Sequence, residues 1–551
     1  MVDKSTKKET EGVAEELWKF WQRIILDARM TNCYLKNMAK MEIFTLEALL
    51  QRVGFLFRKA QKNPRCKIIA IQADLRHFFH QIPLPERYKR LLRMDLGVHG
   101  TVYPRAWPMG FHMSPGVAQA CTWAILLRNV EKNAHMIEKL GIEWDPATPF
   151  HHYLQWLPLR DGGAVFVCID NIFIMSQNEA HVNSWQQQIE WSISEDQCNA
   201  VLKKQDDQGR FFERKEFTKA NTTTTSIIFG GIEFFRHGRR PKEAVDKVDS
   251  LEGENPFWSG TFRELAAIMG QCLWHYRVKG RSMLDLEDFL ELYTFCFPSG
   301  VDSKGFKNDW DSQVQNRIIN LPSFQRVLQK HYKYCRNNSE IVAYEQEHPQ
   351  KSICFLSTDA ALEKKAAVNR IGAMWSFLDP DDAPVDIKDV EGVCSHKRFI
   401  NNKQETIFEF RRPHTQPHIA LAELEAVIDA IEKIKQQREL PDIIMLAIDS
   451  MAAKGMLGRN FSQVKEARVL LKKLNDLLEG RKLFLYWVAS ELNPADAPSR
   501  NENSFTDVNI LLFDKLIVNL EGRLPAARTF WMWSGKNVIH DNTSGRTQRA
   551  S

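Results

Sequence analysis

Long apolar runs are missing from this sequence. None approaches the roughly 18 residues that a membrane-spanning helix needs, so we expect no membrane partner. The 10 cysteines form neither CxxC pairs nor His/Cys groups at zinc-binding spacing. Residues 1–16 are charged and lack the apolar centre of a secretory signal. The sequence therefore predicts reduced thiols and an intracellular protein, in the cytoplasm, the nucleus or a virus-like particle, and not a secreted one.

A strong charge of one sign is missing as well. The 551 residues carry 74 basic and 69 acidic side chains, a formal net charge of +5. With 44% hydrophobic and 26% charged residues, the composition excludes a disordered tail, a collagen-like repeat and a small disulfide scaffold. At roughly 100–200 residues per domain, the length predicts about three or four domains. The weak positive charge permits a local basic groove without indicating one.

The pattern of predicted elements changes near residue 350. Before it, buried strands such as 67–74 alternate with helical patterns. Residues 139–163 contain three prolines and a Gly-Gly pair and predict an inserted loop. Residues 240–345 are mostly helical, and from 351 the order is three strands, a helix, a strand, a helix and a strand. That order is typical of a mixed α/β domain.

Two aspartates fall on apolar strands of the first half. Asp74 ends one strand, and Asp170 lies at the polar centre of AVFVCIDNIFIM, which predicts a β-hairpin. An unpaired carboxylate is costly to bury, and a bound metal relieves that cost. Two acids at adjacent strand ends suit Mg²⁺ ions and the oxygens of a substrate phosphate. Either aspartate taken alone also fits a turn or an ion pair.

Five short sequence motifs, two of which contain these aspartates, follow one another along the chain. They are RIILDARMTN, ADLRHFFHQIPL, WPMGFHMSP, VCIDNIFI and FGGIEF. Together they resemble the successive motifs of a reverse transcriptase of the retroviral and retrotransposon kind, over roughly residues 20–280. The resemblance implies an RNA-directed DNA polymerase with fingers, palm and thumb. Its partners would be an RNA or DNA template with a primer, and deoxynucleoside triphosphates.

The resemblance assigns roles to residues of this chain. Asp74 and Asp170 match the metal-binding palm aspartates. Arg23 matches the fingers residue that contacts the incoming triphosphate, a task suited to a guanidinium fork. The ring of Phe79 would exclude a ribose 2′-OH and favour deoxynucleotides, although a ring there also fits core packing.

Further positions follow from the same resemblance. Met109 and Gly110 match the loop that cradles the template base and the nucleotide. Lys204 matches the lysine that protonates leaving pyrophosphate, with the adjacent Lys203 as its rival. Asn171 stands where the family has the second aspartate of Tyr-x-Asp-Asp, so the site loses one negative charge. Only 73 residues precede Asp74, which shortens the fingers and suggests a segment of a polyprotein.

Four acids fall on the α/β pattern of the last third, and opposed elements can bring them together as a two-metal cage. They are Asp359 at the end of the first strand, Glu423 at the beginning of the long helix, Asp449 at the end of the fourth strand and Asp496 after the last strand. Their order resembles ribonuclease H over about residues 350–500. Glu425 is the rival for the helix position, and Glu-Leu-x-Ala favours Glu423. A single acid on a helix more often lies on a solvated face.

The second resemblance implies cleavage of the RNA strand of an RNA–DNA hybrid. All six acids would be catalytic metal ligands, with two Mg²⁺ (or Mn²⁺) ions per active site. ASELNPADAPSR resembles the end of this region in hepadnaviral polymerases and in DIRS-like, VIPER-type tyrosine-recombinase retroelements. The histidine that often precedes the last aspartate is missing, and Tyr486–Trp487 occupies that neighbourhood.

The two resemblances predict an α+β and α/β multidomain protein. The expected order is fingers and palm over 1–238, a helical thumb and connection over 239–345, ribonuclease H over 346–503 and a tail over 504–551. No aspartic-protease word and no integrase zinc signature occurs. The alternative is a domesticated, polymerase-inactive remnant that serves as a nucleic-acid-binding scaffold or as a hybrid nuclease only. The sequence makes no prediction of the oligomeric state.

Overall fold

The computed structural model describes residues 43–529 with gaps, and also 2–3, 22–23 and 538–540. The gaps are 64, 96–97, 99, 144–155, 206–207, 222–223, 255–257, 259, 282, 297–321, 345–351, 363–368, 380–385, 401–402 and 463. The chain divides into two units, Met1–Lys242 and Glu243–Ser551. Within the described ranges, no helix combines the length and the apolar character needed to cross a membrane.

The first unit mixes helices and strands. Its helices are α1 (Leu46–Lys62), α2 (Phe78–Gln81), α3 (Glu86–Lys89), α4 (Ser114–Leu126), α5 (Ala134–Lys139) and α6 (Glu179–Ile193). Its strands are β1 (Ile68–Asp74), β2 (Met94–Asp95), β3 (Thr101–Val102), β4 (Trp156–Pro158), β5 (Ala164–Cys168), β6 (Asn171–Ser176), β7 (Glu213–Phe217), β8 (Ser226–Phe229), β9 (Ile232–Phe235) and β10 (Gly238–Pro241).

A five-stranded antiparallel sheet, in the order β4-β5-β6-β1-β7, forms the centre of this unit. Alternate residues of a strand point to opposite faces. One face of the sheet packs on α4 and α6 around the buried indoles of Trp123 and Trp185. On the other face, the ring of Phe173 stacks on Phe229 of the β8–β9 hairpin at 4.7 Å. The predicted hairpin of AVFVCIDNIFIM is confirmed as β5 and β6.

Two predictions for the first unit need correction. The helical pattern from Pro115 to Leu140 is two helices, because Asn129 adopts a left-handed backbone (φ 60°) between α4 and α5. Asparagine tolerates that conformation better than most residues. The predicted loop at 139–163 contains β4, which pairs with β5, and its residues 144–155 lie outside the described part of the chain.

The second unit contains a helical part followed by a larger mixed part. Its helices are α7 (Asp249–Glu252), α8 (Phe262–Val278), α9 (Glu287–Cys296), α10 (Pro322–Arg336), α11 (Ile419–Gln437), α12 (Met451–Arg459), α13 (Lys465–Leu478), α14 (Asp496–Ser499) and α15 (Asp507–Thr529). Its strands are β11 (Val342–Ala343), β12 (Ile353–Ala361), β13 (Arg370–Leu378), β14 (Val393–Ile400), β15 (Lys403–Pro413), β16 (Ile443–Ile448), β17 (Lys482–Trp487) and β18 (Val538–His540).

Seven strands form one sheet in the order β14-β15-β13-β12-β16-β17-β18. The strands from β14 to β12 pair antiparallel, and β12, β16, β17 and β18 pair parallel. One face packs on α11, α12 and α13 through a large apolar core. The other face packs on α15, whose Phe513 and Leu520 are fully buried. Because helices cover both faces of the described sheet, we expect a polar site at the strand ends.

The mixed pattern predicted from residue 351 is present, with additional elements. The sequence does not predict strand β14 or helix α12, because neither has a strong apolar periodicity. The segment 504–551, which the sequence predicts to be a tail, contains a helix and a strand in its described part. Helix α15 supplies buried residues to the core, and β18 pairs with β17 at the sheet edge.

Gly372 of β13 lies where another backbone segment comes very close. A Cβ at this position would meet the carbonyl carbon of Pro498 at 2.8 Å and the amide nitrogen of Ser499 closer still. Since neither backbone atom can move away without shifting α14, we expect Gly372→Ala to reduce the free energy of unfolding by about 1–3 kcal/mol. Chemical unfolding of the full chain measures this loss.

Gly455 is the matched control for this prediction. It lies within α12, and a Cβ there would meet only the flexible end of Arg459 at 3.5 Å. Because alanine is the better helix former, Gly455→Ala is expected to raise the free energy of unfolding by about 0.4–1 kcal/mol. If both alanine variants unfold alike, the close approach at Gly372 is not a constraint on the fold.

Candidate active sites

Two buried carboxyl groups and one half-buried carboxyl group meet at one edge of the seven-stranded sheet. Asp359 lies near the end of β12 and Asp449 directly follows β16, and these parallel neighbours end at the same edge. Glu423 projects from α11, which packs on the same sheet. One ligand oxygen from each of the three lies within 4.8 Å of the other two. We call Asp359, Glu423 and Asp449 the acidic cage.

Burial and mutual repulsion raise the pKa of two cage carboxyls. Burial, with smaller contributions from the charges of Asp359 and Asp449, raises the pKa of Glu423 to about 9. Burial and the charges of Asp449 and Asp496 likewise raise the pKa of Asp359 to about 6. Glu423 is only 4% exposed. Its Oε2 atom has no hydrogen-bond partner among the described residues.

The last residue of β17 and the segment after it donate hydrogen bonds to the cage aspartates and to the neighbouring backbone. Ser499 donates its hydroxyl to Oδ2 of Asp359, and Ser490 donates to Oδ2 of Asp449. The indole N–H of Trp487 donates to the backbone carbonyl of Asp449 at 2.9 Å. Asn493 donates from its amide to the carbonyl of Thr358 at 3.1 Å. The segment therefore holds the ends of β12 and β16 in place.

Asp496, the fourth predicted ligand, is not part of the acidic cage. Its Oδ1 accepts a hydrogen bond from Nε of Arg500 at 2.7 Å. Its charge still raises the pKa of the Asp359 carboxyl. Arg412 of β15 forms ion pairs with Glu425 and Asp429 of α11, so Glu425 belongs to a different cluster. The structure therefore brings Glu423, and not its rival, to the cage.

The cage residues suit a divalent metal ion. Carboxylate oxygens are the ligands that Mg²⁺ prefers, and an unpartnered buried oxygen such as Glu423 Oε2 is costly without a cation. Asp359, Glu423 and Asp449 would hold the ion. A divalent ion there would supply Lewis-acid activation of a phosphate oxygen and of water.

The raised carboxyl pKa values predict how stability depends on pH without metal. Glu423 has a pKa of about 9 in the fold against 4.5 as its ordinary value, so the folded state holds the extra proton between these limits. This proton uptake stabilises the fold fully below about pH 4.5, and the stabilisation is lost as the pH rises through 9, where Glu423 ionises in the folded state. Asp359 acts in the same direction between 3.8 and about 6.

We therefore expect the free energy of unfolding in EDTA to fall from pH 6 to pH 9. Glu423→Gln should flatten that decline, because the amide does not titrate. Saturating Mg²⁺ should also flatten it, because the metal binds the deprotonated carboxylates. Urea unfolding at pH 6, 7.5 and 9 measures the slope. Equal slopes for wild type and variant would contradict the burial of an ionisable Glu423.

Two aspartates also meet in the first unit, at the end of β1. Asp74 is directly opposite Asn171 in the β1–β6 pairing, and Asp170 lies in the β5–β6 turn. The backbone N–H of Leu75 donates to the carbonyl of Asp170 at 2.9 Å. Burial and the charge of Asp170 raise the pKa of Asp74 to about 6, while Lys203 opposes that shift. The two acids therefore form a second candidate metal site.

The turn that carries Asp170 has a strained backbone. Ile169 has φ 61°, a left-handed conformation that is unfavourable for a β-branched residue. Helix α4 holds it in place. Gln119 Oε1 accepts from the Ile169 amide at 2.6 Å, and the Thr122 hydroxyl donates to the Ile169 carbonyl. Such strain persists only where surrounding contacts enforce it, and it is common at functional sites.

Asn171 is held by a neighbour on β1. The side-chain amide of Gln72 donates to Oδ1 of Asn171 at 3.1 Å. Near Asp74, the structure brings Lys203 and not the predicted Lys204. Lys203 Nζ lies 4.0 Å from Asp74 Oδ2, and its amide donates to the Asp74 carbonyl.

The remaining predicted nucleotide-binding residues lie on several elements of the first unit. Phe79 lies in α2 and is half-buried against the core that includes β1. Met109 and Gly110 lie in a turn before α4, where Gly110 has φ 96°. Arg23 lies in a two-residue strand paired with Val2–Asp3. The side chain of Arg23 lies outside the described part of the chain.

Sequence reasoning missed the residues that support the acids. Gln119 and Thr122 lie in the predicted helix, and Ser490 and Ser499 lie in the ASELNPADAPSR segment. The sequence feature that could have indicated them is a polar side chain within an otherwise apolar or turn-forming segment. Their partners lie far away in sequence, so that signal did not identify the contacts.

No protein-family model matches the chain, and no curated protein matches it. Similar solved structures include a foamy viral protease–reverse transcriptase dRH in complex with double-stranded DNA, with 12% identity, a TM-score of 0.35 and coverage of 89% of this chain and 70% of that chain. RNase H1 from the halophilic archaeon Halobacterium salinarum NRC-1 has 17% identity and a TM-score of 0.19, over 26% of this chain and 93% of its own. LC11-RNase H1 in complex with an RNA/DNA hybrid has 14% identity and a TM-score of 0.19, over 27% and 95%. Since these scores are low, the case for a function rests on the two acidic sites.

Proposed function

We propose that the chain is an RNA-directed DNA polymerase with ribonuclease H activity. The observation that carries the ribonuclease half is the acidic cage, in which three carboxyls converge, two of them buried, and one oxygen of Glu423 lacks a hydrogen-bond partner among the described residues. Such a group is costly to retain unless a cation binds it. Cleavage of a phosphodiester in the RNA strand of a hybrid is the reaction that this donor set suits best.

Each residue around the cage has a role in this proposal. Asp359, Glu423 and Asp449 hold Mg²⁺, with Mn²⁺ as a substitute. The hydroxyls of Ser490 and Ser499 orient the two aspartates by donating to one oxygen of each. Rigid orientation matters because misplaced ligands reduce the stabilisation of developing charge.

The polymerase half of the proposal rests on Asp74 and Asp170. Burial, with a smaller contribution from the charge of Asp170, raises the pKa of Asp74, and a divalent ion would offset both effects. Lys203 is the nearer candidate for donating a proton to leaving pyrophosphate, because its ammonium lies 4.0 Å from Asp74. Arg23, Phe79, Met109 and Gly110 remain proposed contacts for the incoming nucleotide, as does Asn171.

The biological setting is part of the same proposal. Polymerase motifs followed by a nuclease for RNA–DNA hybrids are suited to a genetic element that copies its RNA into DNA and then removes the RNA template. Asn171 and the NPADAPSR ending support a DIRS-like retroelement. Such an enzyme would act inside a cell or within a virus-like particle.

One observation favours a second candidate, a nuclease whose polymerase half has decayed. Asn171 provides a neutral amide in place of a carboxylate, and its oxygen already accepts from Gln72. Among the described residues, the polymerase site therefore has two carboxylates, where the reverse transcriptase motifs that it resembles have three. In this alternative the chain cleaves hybrids and does not extend primers.

Two assays on purified protein separate these functions. Primer extension on RNA and DNA templates and cleavage of a labelled RNA–DNA hybrid are measured with Mg²⁺ and with EDTA. The main proposal requires both activities and their loss in EDTA. Hybrid cleavage without extension supports the second candidate, most clearly if Asn171→Asp restores extension. A protein with neither activity contradicts both.

A further inference from the structure

Arg500 is an exposed cation beside the acidic cage. It directly follows α14, and its Nε donates to Oδ1 of Asp496 at 2.7 Å. The side chains of Arg500 and Asp496 are 49% and 36% exposed. Both charges act on the buried Asp359 carboxyl, which Asp496 makes harder to ionise and Arg500 makes easier. The ion pair therefore lies at the solvent side of the cage.

The other charges that act on the buried cage carboxyls are negative. Asp359 and Asp449 act on Glu423, and Asp449 and Asp496 act on Asp359. Among the described residues, Arg500 is the cation whose charge lowers the pKa of a buried cage carboxyl, that of Asp359. A polyanionic substrate is repelled by the ionised carboxylates of the cage, and a guanidinium beside them matches the geometry of a phosphate.

The backbone beneath Arg500 is fixed relative to the cage. Ser499 is 1% exposed and donates its hydroxyl to Asp359. The amide of Arg500 donates to the carbonyl of Asp496 at 3.1 Å. Gly372 allows the backbone of Ser499 to approach β13 closely. The half-exposed side chain, rather than the backbone, is therefore the part of Arg500 that can change partners.

We propose that Arg500 binds a backbone phosphate of the RNA–DNA hybrid next to the cage, and that it exchanges the carboxylate of Asp496 for that phosphate. The inference rests on the proposed ribonuclease H function. The exchange replaces one anion by another on the guanidinium, so its charge stays paired. It also releases Asp496 to act as the fourth carboxylate, so that substrate binding completes the ligand set.

The exchange predicts two effects of opposite sign for Arg500→Ala. Loss of a charge-assisted phosphate contact should raise KM for hybrid cleavage about tenfold, with kcat changed less than threefold. Loss of the competing cation should tighten binding of Mg²⁺ to the protein without nucleic acid by a few-fold, measured by calorimetry. Arg500→Lys should give intermediate values, because lysine keeps the charge and loses the fork. An ion pair with only a structural role would not couple these two readouts.

Arg459→Ala is the matched control. Arg459 is an exposed arginine at the end of α12, where its Nε donates to the carbonyl of Gly455 at 2.9 Å. This variant removes the same charge and should keep wild-type KM and Mg²⁺ affinity. Both variants should fold, because the exposed i,i+4 ion pair of Arg500 and the exposed side-chain hydrogen bond of Arg459 each contribute little to stability. Equal thermal midpoints would verify this.

The possible failures are distinguishable. Wild-type cleavage with unchanged KM in Arg500→Ala contradicts the phosphate contact alone. A raised KM with unchanged or weaker Mg²⁺ binding contradicts the exchange with Asp496. A wild-type protein that cleaves no hybrid contradicts the proposed function, and this inference with it.

Discussion

Asp359→Asn is expected to reduce cleavage of the RNA strand of a hybrid by about 10³-fold, because losing a metal ligand removes several kcal/mol of transition-state stabilisation. Primer extension should continue at the wild-type rate. Asparagine preserves the shape of the side chain and can still accept the hydroxyl of Ser499. The variant also removes a buried charge, so its thermal midpoint in EDTA should not fall. Initial rates on one labelled hybrid measure the effect.

Asp476→Asn is the control for this prediction. Asp476 lies on the exposed face of α13 in the same unit, so the substitution removes an equal charge away from the cage. Its cleavage rate should equal that of wild type. Cleavage by Asp359→Asn within about tenfold of wild type would show that the acidic cage does not perform the reaction.

Asp74→Asn is expected to reduce primer extension by about 10³-fold for the same physical reason, while hybrid cleavage stays unchanged. Among the described residues, two carboxylates are available at this site, since Asn171 is neutral, and the loss of one leaves Asp170. Asn171 lies opposite the substituted position, and two facing amides are compatible with the strand pairing. Single-turnover extension of a labelled primer measures the loss.

The exposed Asp196, in the turn after α6, supplies the control Asp196→Asn, which should extend primers like wild type. The pair of predictions also tests the independence of the two sites. If Asp74→Asn and Asp359→Asn each abolish both activities, the assignment of polymerase and nuclease to separate sites is wrong.

The sequence does not determine whether Lys203 or Lys204 lies next to Asp74. In extended backbone, successive side chains point in opposite directions, so a shift of one residue decides which lysine faces Asp74. The structure sets that register through the bridge between Leu75 and Leu202 and the hydrogen bond from the Lys203 amide to Asp74. These contacts join segments distant in sequence, and the local pattern contains no signal for them.

Helix geometry does separate Glu423 from Glu425 as the residue that faces the acidic cage. Two positions on a helix differ by about 200° around its axis, so only one of them can face the sheet edge. The apolar residues of α11 that pack on the sheet already define the inward side. The ion pair of Glu425 with Arg412 confirms that this second glutamate points elsewhere.

The sequence by itself determined which acids end or follow apolar strands, because burial patterns and turn residues are local properties of the chain. It also determined the order of the motifs and the mixed α/β character of the last third. Only the tertiary structure decided which carboxyls meet. The strand order is not the chain order, and Ser499 lies 140 positions from the Asp359 carboxyl that it contacts. Tertiary packing also separated Asp496 from the cage, because a neighbouring guanidinium pairs with its carboxylate at the solvent side.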